Sequence, residues 1–224
     1  QLCLFMNKMG ADISGVGTDE LTITGVKQLH PADIEVIPDR VEAGTFLMAG
    51  AALGEVTVQD VVPKHLKAVL SKLEETGAKI EIKGDAVTVT KAENLAPVDM
   101  TTAVFPGFPT DLQAQWVALM MLANGLSVVT DTVYHDRFSH VPELNRLGAN
   151  IHLENNVAII RGVKKLLGAS VMSTDIRASA SLINAGLMAE GQTDLSRIYH
   201  IDRGYENIEA KYRALGADIS RISE

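Results

Sequence analysis

The 224-residue chain is 46% hydrophobic, enough to bury a substantial core as one large domain or as one domain plus a fragment of another. A net charge of −8 and an aromatic content of 4% supply neither the basic field nor the stacking platforms of a nucleic-acid binder, so an anionic ligand would need a local cluster of arginines set against the global field. The single cysteine, Cys3, excludes an intramolecular disulfide and favours a reducing, cytoplasmic compartment, and no apolar run approaches the roughly 20 residues of a membrane span.

In chain order, a short helix-like opening ends at Gly10-Ala11-Asp12-Ile13. The same signature returns as Gly77-Ala78-Lys79-Ile80, Gly148-Ala149-Asn150-Ile151 and Gly216-Ala217-Asp218-Ile219, about 70 residues apart each time, which marks an internal repeat. Each Gly suits a helix C-terminal cap and each following Ile opens an alternating strand. The first copy closes a unit whose beginning is absent, so the chain is expected to be the C-terminal part of something longer.

Between signatures the order is strand, strand, buried helix, strand, amphipathic helix. The first unit offers strands at 21–24 and 34–37, a helix over 45–53 ended by Gly54, a strand at 56–58, and an amphipathic helix after Pro63 with Leu66, Val69, Leu70 and Leu73 at helical spacing. The second has a strand over 86–90, the turn Phe105-Pro106-Gly107-Phe108-Pro109-Thr110-Asp111, an apolar helix over 112–123, and a strand at 127–130. The third has strands at 157–160 and 194–199 around a helix over 178–189. The first helix of each unit is apolar or small on nearly every face, hence buried all round. Three such helices predict three repeats packed about a shared helical centre, with sheets outside and helix N-termini drawn together.

Asp39, Asp111 and Asp175 each precede a buried helix, where an Asp ordinarily caps the first backbone amides. Asp111 stands out because Gln113 and Gln115 follow it on an otherwise apolar helix and need partners. Arg40, Arg137, Arg177 and Arg203 recur at the same corners, where Asp beside Arg ordinarily forms a structural ion pair. Arg203 is the exception: Gly204 after it permits an unusual backbone, and a helix start is a ready anion site. The histidines show no metal-ligand spacing, Gly15-Val16-Gly17 lacks the third glycine of a dinucleotide fingerprint, and no phosphate loop occurs, so neither metal nor cofactor is expected.

The stretches Phe108-Pro109-Thr110-Asp111-Leu112-Gln113-Ala114-Gln115, Arg137-Phe138-Ser139-His140-Val141-Pro142-Glu143-Leu144, Asp175-Ile176-Arg177-Ala178-Ser179-Ala180 and Tyr199-His200-Ile201-Asp202-Arg203-Gly204-Tyr205-Glu206 closely resemble the UDP-N-acetylglucosamine 1-carboxyvinyltransferase family of enolpyruvyl transferases. The resemblance is collinear from about Gly10 to the C-terminus. It implies an α/β fold, the inside-out α/β barrel of three repeats with buried helices and outer sheets. It also implies a boundary near Pro38: residues 1–37 as the tail of the other domain, residues 38–224 as a nearly complete three-repeat domain.

The same resemblance implies transfer of the enolpyruvyl group of phosphoenolpyruvate to the 3-hydroxyl of UDP-N-acetylglucosamine, with release of phosphate, early in cytoplasmic peptidoglycan synthesis. By that pattern Asp111 contacts the sugar hydroxyl as base, Arg177 and Arg203 hold the phosphoenolpyruvate anions, Arg137 lies on the same face, and Val133 contacts the uridine nucleotide. An ordinary carboxylate is a poor base toward an alcohol, and the apolar helix below Asp111 is expected to assist it. The family's reactive cysteine and Lys-Asn pair have no counterpart in this chain. Cys3 is read as a core residue, and the chain alone is expected to be inactive. The competing readings are the shikimate-pathway enolpyruvyl transferase and a non-catalytic ligand-binding repeat domain.

Overall fold

The computed structural model describes residues 1–222. Contacts divide the chain into two compact units, Gln1–Pro38 and a second beginning at Asp39. In the first, α1 (Leu2–Lys8) leads through Gly10 into the antiparallel pair β1 (Asp12–Ser14) and β2 (Thr22–Thr24). Asn7 ties the turn together, accepting from the Ile13 amide at 2.8 Å and donating to the Ile13 carbonyl at 2.6 Å. Residues 34–37, expected as a strand, form none. Cys3, expected in a core, is only half-buried, and α1 encloses no residue completely.

The second unit opens with α2 (Arg40–Leu53), then β3 (Glu55–Val58), α3 (Lys67–Glu75), β4 (Lys79–Lys83), β5 (Ala86–Thr90) and β6 (Met100–Thr101). It continues through α4 (Gln113–Met120), β7 (Leu126–Thr130), α5 (Val141–Arg146), β8 (Asn150–Glu154), β9 (Val157–Arg161), β10 (Leu166–Leu167) and β11 (Ser170–Met172). It closes with α6 (Ile176–Met188), β12 (Ala189–Glu190), β13 (Asp194–Ser196) and α7 (Ile208–Ala214).

α2, α4 and α6 are the helices expected to have no polar face, and each packs against the other two. All eight residues of α4 are buried, as are ten of α2, Val41 and 43–51. Fully burying a side chain such as Leu47, Leu119 or Leu182 contributes about 1.5–3 kcal/mol, so the packing of these three helices on one another is a principal source of stability. The helices also differ from expectation at their ends. α2 starts five residues earlier than its apolar run because Asp39 accepts from the Val41 amide at 2.8 Å and caps it there. α4 is shorter than the run over 112–123, since Thr110–Leu112 is wound as a 3-10 turn and residues 121–123 leave the α-helix in tight turns bonded three residues back.

The sheets lie against this helical centre. β3, β5 and β4 form an antiparallel sheet in that order, with Val56, Val87 and Val89 buried; β6, β7, β9 and β8 form a mixed sheet, β6 parallel to β7 and the rest antiparallel, with Val129, Ala158 and Ile160 buried. β10 pairs with β12 and β11 with β13, both parallel. The signature glycines hold positive φ: +97° at Gly10, +90° at Gly77, +90° at Gly148 and +95° at Gly216, and a strand follows each of the first three. None follows Gly216 within the described residues, and the strand expected over 194–199 stops at Ser196, after which Ile198–Arg203 winds as a 3-10 helix. Among the described residues, no helix is long and apolar enough to cross a membrane.

Close approach of α2 to its sheet depends on Gly50. A Cβ there would meet Val56 Cβ at 2.9 Å and the Val89 carbonyl oxygen at 3.2 Å. Replacing Gly by Ala within a helix gains up to about 1 kcal/mol in propensity, whereas overpacking against backbone costs about 1–3 kcal/mol. Gly50→Ala is therefore expected to lower the unfolding free energy, read as a reduced urea midpoint at unchanged m-value. An equal or higher midpoint would contradict this packing.

Candidate active site at the N-termini of two buried helices

α4 and α6 start at a common cavity of about 360 Å³, lined by Asp111, Tyr134, Asp136, Arg137, Ser139, Asp175, Ile176, Arg177 and Arg203. Four of the five residues singled out from the sequence, Asp111, Arg137, Arg177 and Arg203, meet there. Val133 does not line this cavity; it is exposed on the same turn as Tyr134, and its amide donates to Asp131 at 3.0 Å. Nor does Asp39, at the start of α2, line it.

The three equivalent aspartates do different work. Asp39 and Asp175 are helix caps, Asp175 Oδ1 accepting from the amides of Arg177 at 2.7 Å and Ala178 at 3.0 Å. Asp111 caps nothing. The 3-10 turn that carries it ahead of α4 swings its carboxylate out to the cavity, where Oδ1 lies 2.7 Å from Arg137 Nη1 and 3.3 Å from Arg177 Nε. The arginines thus pair across the fold with Asp111, and not with their sequence neighbours; Asp202, beside Arg203, is paired with Arg221 at 2.7 Å.

These contacts reverse the expected electrostatics. Burial of Asp111 pushes its pKa up, but the charges of Arg177 and Arg137 and their hydrogen bonds outweigh it, leaving the carboxyl below its ordinary range. Arg177 is affected in the opposite sense: burial disfavours its charge, and Tyr205 and Asp111 more than restore it. The apolar helix below Asp111 therefore does not turn this carboxylate into a stronger base while both guanidiniums are on it.

Two buried groups missed in the sequence position these side chains. Asp131, fully buried at the end of β7, accepts from Thr102 Oγ1 at 2.7 Å, Thr110 Oγ1 at 2.6 Å, and the amides of Val133 at 3.0 Å and Tyr134 at 2.8 Å. It fixes the turn that places the Tyr134 ring 5.6 Å from the Arg137 guanidinium. Through Thr110, which accepts from Arg137 Nη1 at 3.4 Å, it also links that arginine to the turn before Asp111. Burial raises the Asp131 pKa, but these hydrogen bonds prevail and lower it. An Asp after a run of strand residues gives no hint of the cross-fold links, because its two hydroxyl donors lie 29 and 21 residues upstream.

Tyr205 is the second. Thr45 on α2 donates its hydroxyl proton to the Val41 carbonyl at 3.0 Å, so Tyr205 donates to Thr45 Oγ1 at 2.8 Å and accepts from Gln115 Nε2 on α4 at 3.3 Å. The same hydroxyl, linking α2 to α4, also lies near the Arg177 guanidinium of α6 and helps hold its charge. Gln115 thus finds the partner it needed, whereas neither side-chain polar atom of buried Gln113 has one. Gly204 has φ −148° and ψ −2°, not a left-handed conformation; its lack of a side chain matters because a Cβ would meet Ile176 Cγ2 at 3.2 Å and lie 3.9 Å from Arg177 Nη1.

The sequence model of the family described as EPSP synthase (3-phosphoshikimate 1-carboxyvinyltransferase) matches residues 1–212. The chain belongs to that family. Its curated relatives include proteins named UDP-N-acetylglucosamine 1-carboxyvinyltransferase from Chlorobium chlorochromatii, 55% identical over 98% of this chain and 52% of the relative, and from Desulfosudis oleivorans, 50% identical over 97% and 52%. The chain spans about half the length of the curated relatives it matches. Among solved structures, the enolpyruvyl transferase NikO from Streptomyces tendae superposes with a TM-score of 0.84 at 30% identity, over 95% of this chain and 51% of that one. EPSP synthase from Acinetobacter baumannii, at 20% identity and a TM-score of 0.64, shares the fold. The α/β enolpyruvyl transferase fold expected from the sequence is thus the one observed.

Beside this site, His140 at the start of α5 is buried with Nε2 unpartnered, and burial lowers its pKa to about 4; the Arg137 charge acts in the same direction and Asp175 against it. A histidine near 6.5 when unfolded and about 4 when folded contributes stability that is fully present above pH 6.5 and is lost as pH falls toward 4. The urea midpoint should therefore fall between pH 7 and 4.5, and His140→Gln should flatten that decline. An equally steep decline in the variant would show that His140 is not its source.

Proposed function

We propose that the protein to which this chain contributes transfers the enolpyruvyl group of phosphoenolpyruvate to the 3-hydroxyl of UDP-N-acetylglucosamine, releasing phosphate. The observation that carries the reading is the convergence of Asp111 with Arg137, Arg177 and Arg203 on one cavity in a chain about 50–55% identical to proteins of that name. Planar guanidinium forks suit the carboxylate and phosphate of phosphoenolpyruvate, and a carboxylate among them is placed to take a proton. In this reading Arg177 and Arg203 hold the phosphoenolpyruvate anions, with Arg137 beside them, Asp111 receives the proton of the sugar hydroxyl, and Val133 contacts the uridine nucleotide.

The steps balance as addition and elimination. The sugar oxygen bonds to the phosphate-bearing enol carbon of phosphoenolpyruvate as its proton passes to Asp111, and the methylene carbon gains a proton from an acid outside this chain. Loss of a proton from that carbon and cleavage of the carbon–oxygen bond to phosphate then regenerate the double bond. The intact protein is taken as an inside-out α/β barrel of three-repeat domains, with residues 1–37 as the tail of the domain opposite and the rest of that domain supplied by the N-terminal half. A place in cytoplasmic peptidoglycan synthesis, and through it in cell shape and division, follows from this activity. The shikimate-pathway reaction is the second reading, favoured by the description of the matching family model.

Phosphate release from phosphoenolpyruvate plus UDP-N-acetylglucosamine tests the proposal in the full-length protein. Turnover is expected with the nucleotide sugar and not with shikimate 3-phosphate, and Asp111→Asn should lower kcat by about 10²–10⁴-fold. The 224-residue chain alone should show none. Turnover with shikimate 3-phosphate only would replace the substrate assignment, and undiminished turnover of Asp111→Asn would remove its role as base.

A further inference from the structure

We propose that Asp111 is an internal anion occupying the anion-binding arginines, so that an incoming phosphate or carboxylate must displace it and by doing so frees it. The inference rests on the anion-site reading above and deepens it. Both guanidiniums converge on a single oxygen, Oδ1, at 2.7 Å from Arg137 Nη1 and 3.3 Å from Arg177 Nε. Neither arginine can present those N–H groups to a ligand while they are on Asp111. Arg203 lines the same cavity, exposed, so it is placed to receive the anion first.

Charge bookkeeping at the cavity makes the competition consequential. Its lining carries three carboxylates, Asp111, Asp136 and Asp175, and three guanidiniums, Arg137, Arg177 and Arg203. Asp175 is spent on the amides of α6 and Asp136 is exposed on its turn, which leaves Asp111 as the carboxylate seated on two of the cations. Each arginine has a second support that keeps it in place when Asp111 lets go. Arg137 rests by the Tyr134 ring and donates to Thr110, and Arg177 lies against Gly204 and near the buried Tyr205 hydroxyl. The guanidiniums are therefore set to exchange one anion for another with little movement.

The consequence is a base that becomes available only when the anionic substrate is present. Without a ligand the two ion pairs stabilise the charged carboxylate and weaken it as a base. With a phosphate or carboxylate on the arginines their charge is shared, and the affinity of Asp111 for a proton rises. Idle proton abstraction from a sugar hydroxyl before the second substrate arrives is thereby suppressed.

The test is binding of phosphoenolpyruvate, and separately of inorganic phosphate, to the full-length protein by calorimetry. Asp111→Asn keeps the shape but removes the competing charge, and it should bind either probe about five- to tenfold more tightly than the parent, the worth of one or two half-exposed ion pairs. Asp136→Asn removes the same formal charge from the lining without touching these pairs and should change affinity less. Weaker or unchanged binding by Asp111→Asn, or an equal gain in Asp136→Asn, would overturn the competition. Loss of binding in Arg203→Ala, together with unchanged affinity in Asp111→Asn, would leave the anion site standing and remove only this inference; no binding by the parent protein would remove both.

A second measurement needs no variant of Asp111. The Asp111 carboxyl carbon, titrated by NMR with and without saturating phosphate, should show a higher pKa with phosphate. The groups facing it are Arg137 and Arg177, with Arg203, Asp136, Asp175 and the Tyr134 and Tyr205 hydroxyls around them. A pKa unmoved by bound phosphate would contradict the exchange.

Discussion

The structure depends on a packing constraint: three helices that offer water no face must satisfy one another. α2, α4 and α6 do so with small and apolar residues, and several of the polar side chains that enter their contact, though not Gln113, are bonded across it. Thr45, Gln115 and Tyr205 form one such junction, and Asn184 of α6 adds another by donating to the Thr45 carbonyl at 3.2 Å while accepting from Tyr212. A buried polar group left unpaired costs about 1–3 kcal/mol, so these bonds select one arrangement of the helices among those hydrophobicity alone permits.

That arrangement produces the site. Packing α4 beside α6 brings Asp111 to Arg177, residues 66 positions apart in sequence, and the sheet containing β7 delivers Asp131 and, beyond it, Arg137 to the same corner. The cavity is therefore built on element ends held by a rigid centre, with Tyr205 reaching from that centre to the Arg177 guanidinium. Reactive groups on such supports keep their spacing without a ligand, which suits the proposed role of holding an anionic substrate beside a hydroxyl nucleophile.

Much of this was legible in the sequence because it is carried by local pattern. The Gly-Ala-x-Ile signatures place helix ends at positive φ, and apolar runs without polar spacing mark the central helices. What was not legible is set by distant partners. Asp39, Asp111 and Asp175 look alike in sequence, yet one backbone difference, a 3-10 turn at Thr110–Leu112, sends Asp111 to two arginines while the others cap helices. Asp131 and Tyr205 carry no motif of their own, since their importance lies in donors and acceptors contributed by other elements. The segment over 34–37 failed for the opposite reason: strand propensity there has no neighbouring strand to pair with.

The central claim is that Arg137, Arg177 and Arg203 form one anion site around Asp111. Side-chain nitrogen NMR of the arginines in the full-length protein, titrated with phosphoenolpyruvate, tests it most directly. The account predicts that the guanidinium signals of Arg137, Arg177 and Arg203 shift together along one saturable curve, while Arg146 and Arg161, which do not line the cavity, stay where they are. Signals that remain unmoved at saturating ligand, or that drift alike for every arginine on the surface, would contradict it.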